Sequence, residues 1–185
     1  MSGARSIAIR RSHYESAFEA YLNRRGTPFV SVEEVRHNVR SRPGIKAFDY
    51  LVYPPDGKAC LVDVKGRKSP VNRANEWRQK NWVTRADVDG LTEWQRIFGS
   101  DFVATFVFAY WLAPPAGAKS DWVDQLPTTA WRFAGRAYEF SLIPLDAYAR
   151  HIRRISARWD TVAIPREAFR GLSEPLDRVW RAAPC

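Results

Sequence analysis

The sequence predicts a mixed α/β domain, on the border of α/β and α+β. A mixed sheet is flanked by helices in the order α-β-β-β-α-β, with a C-terminal hairpin and helical extension. Three observations predict it. Residues 12–25 repeat apolar side chains at helical spacing, residues 45–65 form two β-rich runs around a Pro54-Pro55-Asp56-Gly57 turn, and residues 102–112 are the most apolar run in the chain.

The first helix is expected over Ser12–Arg25. Ser12 is its N-cap, Glu15 stands three residues on as in a capping box, and Gly26 closes it. Its apolar stripe is Tyr14, Ala17, Phe18, Tyr21 and Leu22. At about 100° per residue, Glu15 falls on the border of that stripe, while Glu19 falls about 40° further toward solvent. Strands are expected over 28–39, 45–53 and 59–65, the last ending at Gly66. Residues 67–86 read as a loop, 87–98 as a helix ended by Gly99, and 102–112 as a buried central strand bounded by Pro114-Pro115. Beyond a long loop at 113–127, the pattern gives a hairpin around Gly135, a helix over 145–159, a short strand at 161–164 and a terminal helical stretch. Residues 1–127 form the core, and 128–185 are an extension of the same domain.

Composition narrows the function. The chain has 185 residues, 45% hydrophobic and 26% charged, which excludes a disordered or fibrous protein. No apolar run approaches the roughly 20 residues that a bilayer span requires, and the N-terminal residues lack the apolar core of a signal peptide. Cys60 and Cys185 have neither a disulfide framework nor metal-ligand spacing. A cytoplasmic protein is therefore expected. Its net charge of +9 favours an anionic partner such as nucleic acid. Of its 29 basic residues, however, 23 are Arg, a bias that a GC-rich genome produces unaided.

The most informative segment runs from Phe48 to Gly66. Strand alternation puts Asp63 and Lys65 on one face and Val62 and Val64 on the other. A turn centred on Asp56 pairs residues whose numbers add to 112, which sets Asp49 opposite Asp63. Like charges facing each other across a hairpin are destabilising. A divalent cation between them would account for the pair, as would a solvated face whose acids meet surrounding Arg residues.

Asp49-x13-Asp63-x-Lys65 on adjacent strands, preceded by a helix carrying Glu15 and followed by a helix and an apolar strand, resembles the PD-(D/E)xK nuclease superfamily. Within it the pattern is most similar to the restriction-endonuclease-like and archaeal Holliday-junction-resolvase branches. The resemblance covers residues 12–112, and Glu15 stands eleven residues before Gly26 as in those enzymes; Phe48 replaces the Pro that names the motif. It implies a restriction-endonuclease-like core and a Mg2+-dependent DNA endonuclease, with Mn2+ as a substitute. Asp49, Asp63 and the Val64 main-chain carbonyl would hold the metal. Lys65 would orient and activate the attacking water, and Glu15 would hold a second metal or a metal-bound water. Gln95 would be a supporting polar residue on the helix after the motif. Cleavage of both strands would favour a homodimer. A nucleic-acid-binding module without catalysis is the alternative on the same fold.

Two basic stretches lie nearby. Arg67 and Lys68 follow the motif, and Arg73, Arg78, Lys80 and Arg85 alternate with Trp77 and Trp82, a mixture of charge and stacking suited to nucleic-acid strands. For the Trp residues, packing is the preferred reading, since a chain with eight of them must bury most.

Overall fold

In the computed structural model of the chain, the described residues are 12–32, 45–55, 57–70, 80–114, 117, 122, 124 and 126–180. Helix α1 (His13–Arg24) starts where the sequence places it, with the Ser12 side chain accepting from the Glu15 N–H. Gly26 adopts a φ of 63°, which ends the helix at little steric cost. The buried residues of α1 are Ala17, Phe18, Tyr21 and Leu22, four of the five in the expected stripe.

Strands β1 (Phe29–Ser31), β2 (Tyr50–Val52), β3 (Ala59–Pro70) and β5 (Phe102–Ala113) build one side of the main sheet, with helix α2 (Arg85–Phe98) carrying the chain from β3 back to a parallel β5. Strand β7 (Arg136–Pro144) pairs antiparallel with the other edge of β5. Strands β6 (Trp131–Phe133) and β10 (Glu174–Pro175) pair with β7 in turn. The hairpin around Gly135 forms as expected, with Ala134 and Gly135 both at positive φ. Because β5 lies inside this sheet, its run of apolar residues is buried on both faces. On one face α1 covers Val62, Val64, Val107, Ala109, Tyr138 and Phe140. The opposite face, with Leu61, Phe106, Phe108 and Ile143, packs against α2, helix α3 (Leu145–Ala149) and helix α4 (Arg166–Leu172).

A second, three-stranded sheet lies beside that face. It has the order β4 (Val83–Thr84), β9 (Thr161–Ala163) and β8 (Arg153–Ser156). The short helix α5 (Leu176–Val179) follows β10. Among the described residues, no helix is long and apolar enough to cross a membrane.

Three local expectations are corrected. The helix expected over 145–159 ends at Ala149, because residues 153–156 instead supply the antiparallel partner for β9. Residues 67–70 are not loop, since β3 continues to Pro70 in unbroken parallel register with β5. Gly66 therefore does not stop the strand. Its role is close approach: a Cβ placed there would lie 2.2 Å from Cδ2 of Tyr14 on α1. The strand run expected from 28 to 39 is seen only as β1, and residues 33–44 lie outside the described residues.

We expect Gly66→Ala to drive its methyl into the root of the Tyr14 ring and to destabilise the fold by about 1–3 kcal/mol, the usual range for overpacking. Urea unfolding of Gly66→Ala, Tyr14→Ala and the double variant checks this. The double variant should be less destabilised than the two single costs added together.

Candidate active site

Strand β3 has two chemically different faces. Val62, Val64 and Gly66 face α1, whereas Asp63, Lys65 and Arg67 face the α2 side. There the Lys65 ammonium lies 6.0 Å from the Phe106 ring centre and the Arg67 guanidinium 5.8 Å from that of Phe108. The β2–β3 register has Tyr50 opposite Val62, Leu51 opposite Leu61 and Val52 opposite Cys60, as the turn centred on Asp56 predicts. Asp49 stands one residue beyond this ladder. Its N–H donates to the Val62 carbonyl at 2.9 Å, and its carboxylate Oδ2 accepts the Val64 N–H at 2.7 Å. A side chain thus occupies a place where main chain would otherwise continue the sheet.

The electrostatics follow from burial. Burial, then the charge of Asp63, pushes the Asp49 carboxyl up to about 7, with Glu15 adding to the rise. The Val64 N–H and Lys65 pull the other way. Asp63 is 4% exposed, and burial raises its pKa against the pull of Lys65. Lys65 sits between two acids, its Nζ 2.7 Å from Asp63 Oδ1 and 3.0 Å from Asp87 Oδ1. Burial alone would lower the pKa of Lys65; Asp63 and Asp87 outweigh it, and the ammonium is held above its ordinary value.

Asp87 and Lys46 are the residues that sequence reasoning missed. Asp87 occupies the third position of α2 and closes a reciprocal capping box with Thr84. The same carboxylate receives Lys65 and Lys46. Although Asp87 is buried, Lys65 and the hydrogen bonds from Lys46 and Thr84 hold it down to about 2. Lys46 reaches it because its segment passes close over α2. A Cβ on Gly90 would lie 2.7 Å from the Lys46 carbonyl, which also accepts the Trp94 indole N–H at 3.0 Å. The Thr84-x-x-Asp87 signature marks a helix start, but nothing local to it reveals that the acid also faces β3.

Glu15 and Glu19 share the side of α1 nearer β2. The Ser12 hydroxyl donates to Glu15 Oε1 at 2.7 Å. Glu19, expected further toward solvent, instead accepts from the buried Tyr50 hydroxyl at 3.1 Å. Among the described residues, no three His, Cys, Asp or Glu side chains gather into a metal-binding group. The structure thus brings together Asp49, Asp63 and Lys65, adds Asp87, and leaves Glu15 acting on Asp49 through its charge.

The expected basic surface divides. Arg67 is 8% exposed and does not present its charge to solvent. Its guanidinium lies 3.9 Å from the centre of the Trp82 ring and donates to the Gly66 and Trp82 carbonyls, which corrects the expectation of a phosphate contact. Lys68 is exposed, with its Nζ 5.0 Å from the Trp111 ring centre. Lys80 is exposed and donates to the Lys68 carbonyl, and Arg85 opens α2 half-buried. Arg73, Arg78 and Trp77 lie outside the described residues. Gln95 does not support the acids: its amide joins the Gly99 and Phe102 carbonyls to the Ala104 N–H and clamps the end of α2 to β5.

The donor set fits a hard divalent cation. The protein hydrogen bonds to Asp49 and Asp63 among the described residues use Oδ2 of the first and Oδ1 of the second. That leaves one oxygen on each for a metal. Magnesium takes one or two carboxylates and fills its remaining positions with water and phosphate oxygens.

No family model matches the chain, and no curated protein matches it. Among solved structures, the chain is similar to that of Hjc, a Holliday junction resolvase from the archaeal hyperthermophile Archaeoglobus fulgidus. The TM-score is 0.47 and the identity 14%, with 93% of this chain and 96% of that one covered.

The raised Asp49 pKa carries a sign. Folding lifts it from 3.8 to about 7, so the stability it contributes is full below 3.8 and is lost as pH rises through about 7. Asp87 acts oppositely; its contribution is present above 3.8 and is lost as pH falls toward about 2. In the presence of a chelator, thermal unfolding should therefore show stability declining from pH 5 to pH 8, by about 1.4 kcal/mol per pH unit at most for one group. Asp49→Asn, which keeps an acceptor for the Val64 N–H, should flatten that slope.

Proposed function

We propose that this chain is a magnesium-dependent nuclease that hydrolyses phosphodiester bonds in DNA. The observation that carries the reading is the pair of half-buried Asp49 and buried Asp63 with the Lys65 ammonium fixed beside it, all on the adjacent strands β2 and β3 and the residue that leads into them. Apart from the two-residue β4, which belongs to the second sheet, the order α1-β1-β2-β3-α2-β5 around these residues supports it, being the order in which the resembling superfamily carries its acids and lysine.

The residues that would hold the cation are Asp49, Asp63 and the main-chain carbonyl of Val64. Bound there, the cation supplies Lewis-acid polarisation of the phosphoryl group and a water of lowered pKa. The remaining tasks belong to the chain. The Val64 N–H fixes the rotamer of Asp49 by tying down one oxygen. Asp63 and Asp87 hold Lys65 protonated and immobile, so its charge is already in place for the negative charge that develops in the transition state. Lys65 is thereby an orienting cation for the attacking water. Glu15, at the first turn of α1, adds negative charge on the Asp49 side and favours cation occupancy there. Lys68 and Lys80, both exposed, offer the phosphate backbone its charge partners at the end of β3. Cleavage of both strands would favour a homodimer.

The test is incubation of the purified protein with nicked, branched, single-stranded and plain duplex DNA, with and without Mg2+ or Mn2+. We expect metal-dependent cleavage that falls by about 10²–10³-fold or more in Asp63→Asn and Lys65→Ala. Undiminished cleavage by Asp63→Asn, with contaminating nuclease excluded, would sink the reading. Asp87→Asn removes a positioning group and should cost about 10–100-fold while leaving DNA affinity unchanged. Glu15→Gln should lose most cleavage yet fold normally, since Gln preserves the partner of Ser12.

A further inference from the structure

Residues 150–160 hold four Arg and one Asp. They end α3, form β8 and make the turn into β9. In an ordinary sheet, one face of each strand is covered. Here Arg153, Arg154 and Ile155 are all exposed, so neither face of β8 is covered. Ile155 is 56% exposed and Trp159, in the turn, 68%. The basic hairpin thus keeps one Trp and one Ile in water.

The hairpin is built rather than frayed. The register shifts between Arg154 and Ser156, so Ile155 is the extra residue of a bulge, a device that re-aims a side chain. The Trp159 N–H donates to the Ser156 hydroxyl at 3.2 Å, Asp160 holds a φ of 42°, and Arg154 lies 3.5 Å from the Asp160 carboxylate. The Arg158 guanidinium sits 5.1 Å from the centre of the Trp159 ring. The ring is thereby paired with a cation while most of its surface stays exposed to solvent.

The hairpin also adjoins the candidate active site. Strand β9 pairs with β4, and the Asp160 carbonyl accepts the Arg85 N–H at 2.8 Å, two residues before the Asp87 that fixes Lys65. Trp82, 42% exposed and stacked on Arg67, precedes β4 on the same path.

We propose that the β8–β9 hairpin is a nucleic-acid-binding wing. Arg153, Arg154 and Arg158 engage phosphates, while Trp159, with Ile155 beside it, stacks on a base left unpaired or unstacked at a gap, nick or branch. The inference deepens the nuclease reading by assigning it a substrate class, DNA whose stacking is interrupted. Charge selects this partner: the apolar pair is flanked by Arg153, Arg154 and Arg158 against the single acid Asp160, a cationic excess that suits a polyanion with exposed π-faces.

The test uses the full chain carrying Asp63→Asn, so that binding is read without cleavage. Affinity is measured for a gapped duplex and a continuous duplex over a range of salt, with 2-aminopurine placed at the gap. Trp159→Ala should weaken gapped-duplex binding by roughly tenfold, abolish the 2-aminopurine response and leave continuous-duplex affinity within about twofold. Trp159→Phe should restore most of the loss. Arg153→Ala with Arg158→Ala should weaken both substrates and reduce the salt slope by nearly two. Equal affinity of Trp159→Ala and its parent for the gapped duplex would overturn the proposal. So would a parent that sediments as a dimer while Trp159→Ala sediments as a monomer, because the hairpin would then be a contact between copies. The two readings fail separately. A protein without Asp63→Asn that binds gapped DNA but never cleaves it refutes the nuclease and leaves the wing standing. Normal cleavage and binding by Trp159→Ala refute the wing alone.

Discussion

The Lys65 ammonium, held between Asp63 on its own strand and Asp87 on α2, is the interaction on which the arrangement of the site depends. Removing a cation and its acids from water costs several kcal/mol per ion, and geometry must recover that cost. The recovery needs Asp87 at a fixed point, which the capping box with Thr84 supplies, and Lys65 at a fixed height, which the in-register pairing of β3 with β5 supplies. With Lys46 also on Asp87, two acids meet two ammonium groups, and Asp49 stands beside them as a third acid. Fully ionised, the set carries one uncompensated negative charge, and Asp49 is where it falls. A proton answers it at low pH, and a divalent cation would answer it at neutral pH. Burial first, and then the charge of Asp63, raises Asp49 toward 7.

How much of this was legible depends on how local the cause is. The β2–β3 register was readable because a Pro-Pro-Asp-Gly turn and period-two alternation leave little freedom between residues 50 and 62. The start of α1 was readable from Ser12 and Glu15, and β5 from an apolar run that only a two-sided core can accept. What was not readable is set by tertiary contact. Asp87 looks like a capping residue and is one; its second task appears only when α2 is laid beside β3. Arg67 looks like a phosphate ligand, but strand alternation past Gly66 turns it inward beneath Trp82. Gly66 looks like punctuation, and the missing Cβ is used instead to seat Tyr14. Glu19 looks solvated by helical angle alone, yet the Tyr50 hydroxyl reaches it from β2.

The segment over 145–159 failed for a different reason. Leu145, Tyr148 and Ile152 satisfy helical spacing, so local pattern alone favours one long helix. The decision lies with Thr161–Ala163, a three-residue strand whose other neighbour, β4, is only two residues long. A hairpin with residues 153–156 adds main-chain pairing that a continued helix would deny it. Short strands are marginal alone, and such a competition is resolved by the assembled sheet.

That resolution bears on function, because β4 is also where α2 begins. The Asp160 carbonyl takes the Arg85 N–H, Thr84 caps α2, and Asp87 in the same turn grips Lys65. The path from the hairpin turn to the Lys65 ammonium therefore crosses four consecutive residues of main chain held at three points by hydrogen bonds. A ligand pressing on the β8–β9 turn would act on the first turn of α2, whose position fixes the second acid of Lys65. The hairpin turn and the acids are joined through this helix terminus, where the N–H groups of Thr84, Arg85 and Asp87 all have partners. The same connection explains why Asp87 is held so firmly as the anion: a carboxylate that takes two ammonium groups and the Thr84 N–H leaves little slack at the junction of the two sheets.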